Sequence, residues 1–415
     1  MAVAEDRATA PDIQTLRSYF PALDSGFAFL ENAGGSQVPR FVPDAIRDYM
    51  INSYVQTGAG YARSDAAQEN VDRAHAFSNT FVSGDGIGNT VLASSTTTLI
   101  HMLANAYANV WPAGSRIISA ETGHEANVGP WAMVTRRGFD FQIWKLDPES
   151  LQCRLDELEK LLIEKPTKIV AFPLVSNLLG EIVDVRAITE LAHKYGAKVV
   201  VDGVAYAPHR TIDVKAWNAD WFVFSWYKVY GPHMAALFGT NEALGEIEGP
   251  NHFFIPRDDV PYKYELGGIM HESCAGLNAI GKYLNVLAGK TEDAPCDRAT
   301  MVRATTRMGE LEIPLQTKFI SYLRSKPGVR IVGPAHGDPS RVATISFIHD
   351  RLSTPEIVAH VHKSPIGIRY GNAYAYRLCK AIGIDTETGV VRASFVHYNT
   401  LEEIDRLCSS LDEIL

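Results

Sequence analysis

The sequence predicts an α/β fold, a mostly parallel sheet between helices, followed by a smaller α+β unit at the C-terminal end. Three observations carry this expectation. From Asn89 onward short apolar runs alternate with helical patterns. Between Lys168 and Asp202 the order strand, loop, helix, strand has the spacing of a right-handed crossover. Past about Lys290 the texture changes to one long helical segment followed by several short β-like runs.

Taken in order, "PDIQTLRSYFPAL" reads as a short helix, and "FAFLENAGGSQVPR", with its glycine pair and proline, as a loop entering the main fold. "GDGIGN" precedes a strand rather than following one, and is a turn. "NTVLAS" is a strand leading into a helix that starts near Thr96, and "SRIISAE" and "FDFQIW" are the next strands. "KIVAFPLV" is a buried strand, "SNLLGEIVDV" a loop, "RAITELAHKYG" a helix closed by Gly196, and "AKVVVD" the following strand. "DWFVFSWYK" and "MAALFG" supply two more. The helix containing "RMGELEIPLQTKFISYLRS" then leads to "GVRIVGP", "RVATISFIH", "IGIRYG" and "VVRASFVHY", a mixed or antiparallel sheet. The expected divisions are an N-terminal segment 1–35 packed on the small domain and the site, a large domain 36–288 and a small domain 289–415.

The chain has 415 residues, 46% apolar and 21% charged, with a net charge of −9 and no long run of one sign. This disfavours nucleic acid and anionic membranes and points to small-molecule partners. Five cysteines lie far apart, with no C-x-x-C pair, and no H-E-x-x-H or G-x-S-x-G occurs. The expectation is no metal, no disulfide framework and a cytoplasmic setting. The start, "MAVAEDRATAPD", carries acids and no apolar leader.

Ligands of open α/β folds gather at the carboxyl ends of the strands. Two such ends carry opposite charges, Asp202 after "AKVVV" and Lys228 after "WFVFSWY". A carboxylate to keep a pyridine nitrogen protonated and an amine to condense with an aldehyde are the pairing that pyridoxal 5'-phosphate requires. "SSTTTLI", Ser94 to Ile100, follows a strand and opens a helix, a seat for its phosphate. His124, in "ETGHEANVGPW", follows another strand and could stack on the ring or relay a proton.

With these residues assembled, the sequence resembles the class V aminotransferase family of fold-type I pyridoxal-phosphate enzymes, in its cysteine-desulfurase-like branch. The resemblance rests on "FLENAGGSQVP", "HEANVGPW", "VSNLLGEIVDV", "VDGVAYAPHRTIDV", "FSWYKVYGPHMAALFG" and "VRASFVHYNTLEEID", in that order and spacing. It implies a seven-stranded-type sheet in the large domain. By the same resemblance, Lys228 joins the cofactor and later moves the proton at the substrate carbon, Asp202 pairs with the pyridine nitrogen, His124 stacks on the ring and Asn177 bonds the phenolic oxygen. Ser95, Thr96, Thr97, Ser225 and Tyr227 are the implied phosphate contacts, Arg392 the grip on the substrate carboxylate, and Asn32 a lining residue of the substrate pocket.

Three positions depart from the family pattern. Tyr374 stands where desulfurases carry the persulfide cysteine, and the nearest thiol, Cys379, reads as a packed residue. Ala205 replaces the usual glutamine or histidine near the phenolic oxygen. Gly268 stands where a threonine commonly reaches the neighbouring subunit's phosphate, in a family whose active sites lie at a homodimer interface. These readings lead to a pyridoxal-phosphate enzyme of a small amino acid working through a ring-stabilised carbanion. The first choice is a lyase-type elimination or carbon-sulfur cleavage at the β- or γ-carbon without persulfide transfer. Behind it stand a Mannich-type cyclase, suggested by Ala205 and the loop tyrosines Tyr370, Tyr374 and Tyr376, an epimerase or aminotransferase, and a binding protein that has lost catalysis.

Overall fold

The computed structural model describes residues 11–415; the first ten residues of the expected N-terminal segment lie outside them. A short strand, β1 (Ala28–Phe29), precedes the main sheet. That sheet comprises β2 (Gly88–Ala93), β3 (Arg116–Ala120), β4 (Asp140–Trp144), β5 (Thr167–Pro173), β6 (Lys198–Asp202), β7 (Trp221–Ser225) and β8 (Ala235–Thr240), in the order β2-β8-β7-β6-β5-β3-β4. Pairing from β4 through β7 is parallel, while β8 runs antiparallel to both its neighbours. The reason is the chain length after β7: nine residues separate Ser225 from Ala235, too few for a crossover, so the strand returns as a hairpin.

Apolar residues of the parallel strands divide between two faces with period two. Val170, Phe172, Val199, Val201, Phe222 and Phe224 join one core, and Ile169, Ala171, Val200, Trp221 and Val223 the other. A sheet covered on both sides needs continuous apolar runs, which is what "KIVAFP", "KVVVD" and "WFVFS" provide. The helices Phe41–Asn52 and His271–Leu287 contribute to the first core and Thr96–Val110 to the second.

The C-terminal part adds β9 (Val329–Val332), β10 (Thr344–His349), β11 (Ile366–Gly367), β12 (Arg369–Gly371) and β13 (Val390–Ser394). Four of these form an antiparallel sheet, β12-β13-β10-β9, backed by the 27-residue helix Arg298–Arg324. β11 pairs in parallel with β1, so Ala28 and Leu30 share a core with Ile345, Val391 and Phe395. The segment after β1 turns toward the carboxyl ends of the main sheet, where Ser36 N–H donates to the Tyr227 carbonyl at 3.2 Å.

Candidate active site

One cavity at the carboxyl ends of β5, β6 and β7 gathers residues far apart in sequence: Ser95, Thr96, Thr97, His124, Asn177, Asp202, Ala205, Ser225, Tyr227 and Lys228. Each arrives by a local device. Ser95 caps the helix Thr96–Val110, accepting from Thr98 N–H, so the amide end of a four-turn helix faces the cavity. Thr96 Oγ1 and Ser225 Oγ lie 2.7 Å apart and tie this helix to the end of β7. Beyond Ser225 a 3-10 turn, Trp226–Lys228, anchored by the fully buried Trp226, carries Lys228 inward until only 9% of it is exposed.

The electrostatics follow from burial. Desolvation, with the Arg392 charge, lowers the Lys228 amine to about 8, so it deprotonates far more readily than a surface lysine. Desolvation raises Asp202 to about 6, opposed by the Val204 N–H that donates to Oδ1 at 2.9 Å and by the Lys228 charge. A buried carboxylate so poor in cationic partners is suited to a protonated ring nitrogen. Burial, then Lys228 and Arg392, lower His124 to about 4. Its Nδ1 accepts from Ala126 N–H at 3.0 Å, which puts the proton of the neutral ring on Nε2.

The residues fit pyridoxal phosphate by their chemistry. Hydroxyls at a helix amino end suit a dianion, a desolvated carboxylate suits a pyridinium, and an amine of lowered basicity suits an aldehyde. Asn177 adds an unsatisfied atom: Nδ2 donates to the Ala373 carbonyl at 2.7 Å, while Oδ1 is buried without a partner, on a wall it shares with Ala205. Alanine at 205 offers it no donor.

Behind the lysine turn runs a polar chain with a fixed direction. Tyr230, at φ +62°, donates its hydroxyl to the Pro208 carbonyl at 2.9 Å. A carbonyl only accepts, so His397 Nδ1–H donates to the Tyr230 oxygen at 3.0 Å, and His397 Nε2 accepts from the Tyr283 hydroxyl at 2.6 Å. Burial lowers His397 to about 3 and keeps it neutral.

The substrate-side residues come from the other sheet. Arg392, on β13 and 3% exposed, donates from Nη1 to the Asn177 carbonyl at 3.1 Å. The Tyr374 ring lies 5.2 Å from His124 at a 39° tilt, and Glu125 N–H donates to the Tyr374 carbonyl at 2.8 Å. Ala373 and Tyr374 both have positive φ, 45° and 62°, a strained pair clamped by the bidentate Arg377–Glu125 ion pair.

Two residues of the expected site lie outside this cavity. Asn32 does not line this pocket: its Nδ2 donates to the Phe29 and Ser394 carbonyls and to Asn399 Oδ1, and its Oδ1 accepts from the Tyr398 hydroxyl, so the amide is consumed inside the fold. The adjacent Glu31 reaches Arg392 instead, at 3.2 Å, and also Arg369 at 3.1 Å. Gly268 does not join the cavity of its own chain either. It sits in a left-handed turn, φ +82°, beside a separate depression with His75 and Glu265. Glu31 and Arg369 are the residues that sequence reasoning missed; the signal was the acid opening "ENAGG" and the arginine in "IGIRYG".

All five cysteines are free and lie outside this cavity. Cys379 is fully buried in the helix Tyr376–Ala381, and burial raises its thiol to about 11. Burial likewise raises Cys153 and Cys296 to about 11, Cys408 to about 12 and Cys274 further still.

Fold and donor set together define a pyridoxal-phosphate-dependent enzyme. The model of the aminotransferase class-V family matches residues 28–407, and the chain belongs to that family, whose members use this cofactor. It is 36% identical to the aminotransferase-like protein FGM3 of Gibberella zeae, over 97% of this chain and 98% of that one. It is 30% identical to the cysteine desulfurase-like protein ustD of Aspergillus flavus, over 97% of this chain and 91% of the relative. The apo structure of a cysteine desulfurase from Thermococcus onnurineus NA1 superposes with a TM-score of 0.83 at 23% identity, covering 97% of each chain, and shares the fold.

Proposed function

We propose that the protein acts on a small amino acid, gripping its carboxylate at Arg392 and breaking a bond at the β- or γ-carbon, without persulfide transfer. Thiol placement carries the last clause. The loop residue beside His124 is Tyr374, and every cysteine is held protonated by burial outside the cavity. When bound, pyridoxal phosphate supplies an electron sink for charge developing at the α-carbon. Lys228 is the amine that would attach the cofactor and then move the α-proton. Asp202 would keep the ring nitrogen protonated, His124 would cover the ring, and Ser95, Thr96, Thr97, Ser225 and Tyr227 would hold the phosphate. Asn177 would bond the phenolic oxygen.

A cyclase is the second reading. It is favoured by the aromatic ring of Tyr374, 67% exposed and set against His124, where it could shelter a cationic intermediate. The protein works as a homodimer in either case, a reading supported by the exposed Phe253, Phe254 and Leu266 in the stretch leading to Gly268.

The experiment is product identification by mass spectrometry after incubating cofactor-loaded protein with a panel of amino acids that includes cysteine. A lyase releases ammonia, a thiol or sulfide. A new ring that retains the amino-acid nitrogen would replace the lyase reading with the cyclase, and transfer of sulfur to an acceptor would refute the claim of no persulfide step.

A further inference from the structure

Glu31 lies between two guanidinium groups, a single oxygen, Oε1, accepting from Arg392 Nη2 and from Arg369 Nη1. The two arginines are direct cross-strand partners of the β12–β13 pair. Like charges placed opposite each other in a sheet repel, so this pair requires an anion between them. Gly34 leaves the room for it: a Cβ at that position would fall 2.2 Å from Glu31 Oε1. The acid and the first glycine of "ENAGG" are therefore a matched set.

Arg392 is incompletely bonded despite its burial. Nη1 is spent on the Asn177 carbonyl, Nη2 on Glu31, and Nε is buried with no partner. A carboxylate that binds a guanidinium side-on takes Nε and the adjacent Nη together. Half of the seat that a substrate carboxylate needs is thus filled by Glu31, and half is without a partner. Arg369, by contrast, is 44% exposed in its side chain and is bonded to Glu31.

We infer that Glu31 is a specificity-determining residue, an internal carboxylate that holds Arg392 in the resting protein, yields it to the incoming amino-acid carboxylate and stays on Arg369. Two guanidiniums and one resident carboxylate leave one positive charge, which one incoming carboxylate balances. The exchange lets the buried arginine remain neutralised both with and without substrate, and it makes Arg369 a positioning residue that acts through Glu31. This inference rests on the assignment of Arg392 to the substrate carboxylate.

The test is calorimetric titration of the cofactor-loaded protein with propionate, which carries the carboxylate and no amino group. The cofactor's visible band certifies that each variant is folded and loaded. Removing an internal competitor for a charge-assisted bond should tighten propionate binding about tenfold in Glu31→Gln. Arg369→Met should weaken it about tenfold, because Glu31 then has no second seat. In the double variant the effect of Arg369→Met should shrink to about twofold or less, the coupling that contact through a shared partner predicts. The inference is overturned if Glu31→Gln binds propionate no tighter than the natural protein, or if the loss from Arg369→Met persists undiminished in the Glu31→Gln background, which would make Arg369 a direct ligand. Arg392→Ala tests the underlying assignment separately: propionate binding that survives it removes Arg392 from the carboxylate seat, whatever the behaviour of Glu31.

Discussion

The two halves of the active site are built differently. The cofactor half, formed by the carboxyl ends of β5, β6 and β7 and the amide end of one helix, centres on the buried, oppositely charged Asp202 and Lys228, with Asn177 Oδ1 and Trp226 Nε1 left without partners. The substrate half, formed by β12, β13 and the residues after β1, is charged, partly exposed and strained, with Glu31 shared between two arginines and two consecutive non-glycine residues at positive φ. Of the departures from the desulfurase pattern, Tyr374 lies on this second side and Ala205 on the first. The lesson is that one half sets which chemistry is possible and the other sets what undergoes it.

The widest gap between the halves should appear in single substitutions. Lys228→Ala removes the attachment point, so the covalent visible band should be absent and turnover should fall by roughly 10³-fold or more, as loss of a catalytic nucleophile does. Arg392→Ala should keep the band and raise KM by roughly 10- to 100-fold, the value of a charge-assisted hydrogen-bond pair. A lost band in Arg392→Ala would break the division, because it would put a substrate-side residue into cofactor binding.

Titration sharpens the same division. Lys228 is lowered to about 8, and only the neutral amine condenses with an aldehyde. The rate of cofactor attachment to the cofactor-free protein, followed by absorbance, should therefore rise with pH and level off above about 8. The sign for stability is the same. The unfolded lysine, near its ordinary 10.5, binds more protons than the folded one between about 8 and 10.5, so this group makes the cofactor-free protein more stable as pH rises through that window. His124, lowered to about 4, stays neutral and contributes no inflection between pH 5 and 8.

The smallest effect concerns the thiols. Cys379→Ala should leave turnover within about twofold and cost roughly 1 kcal/mol of stability, as a small buried truncation does, measured by denaturant unfolding. Tyr374→Cys should not confer sulfur transfer from cysteine to an acceptor. Robust transfer by that variant would show that a thiol was all the substrate half lacked.

Most of the cofactor half was legible in the sequence because strands buried on both faces announce themselves as apolar runs, and the residue at each run's end is then a site residue by position. Asp202 and Lys228 were found in this way. The reversal of β8 was not read from the sequence; it comes from the short link after Ser225, a constraint that apolar patterning does not express. The substrate half was less legible. Asn32 and Glu31 are neighbours, and nothing in "FLENAGG" tells which of them reaches Arg392; the Asn32 amide is held instead by Tyr398, Ser394 and Asn399, some 360 residues away. Arg369 meets Arg392 only through a strand register, which a sequence does not print.

The chain from Tyr283 through His397 and Tyr230 to the Pro208 carbonyl has a mechanical meaning. It joins the helix His271–Leu287, the end of the small sheet and the lysine turn through bonds that all point one way, and breaking any of them strands a buried polar group. It therefore serves as a rivet: three elements are fastened at one buried point, two residues from Lys228, while Arg369 and Tyr374 meet solvent at the rim.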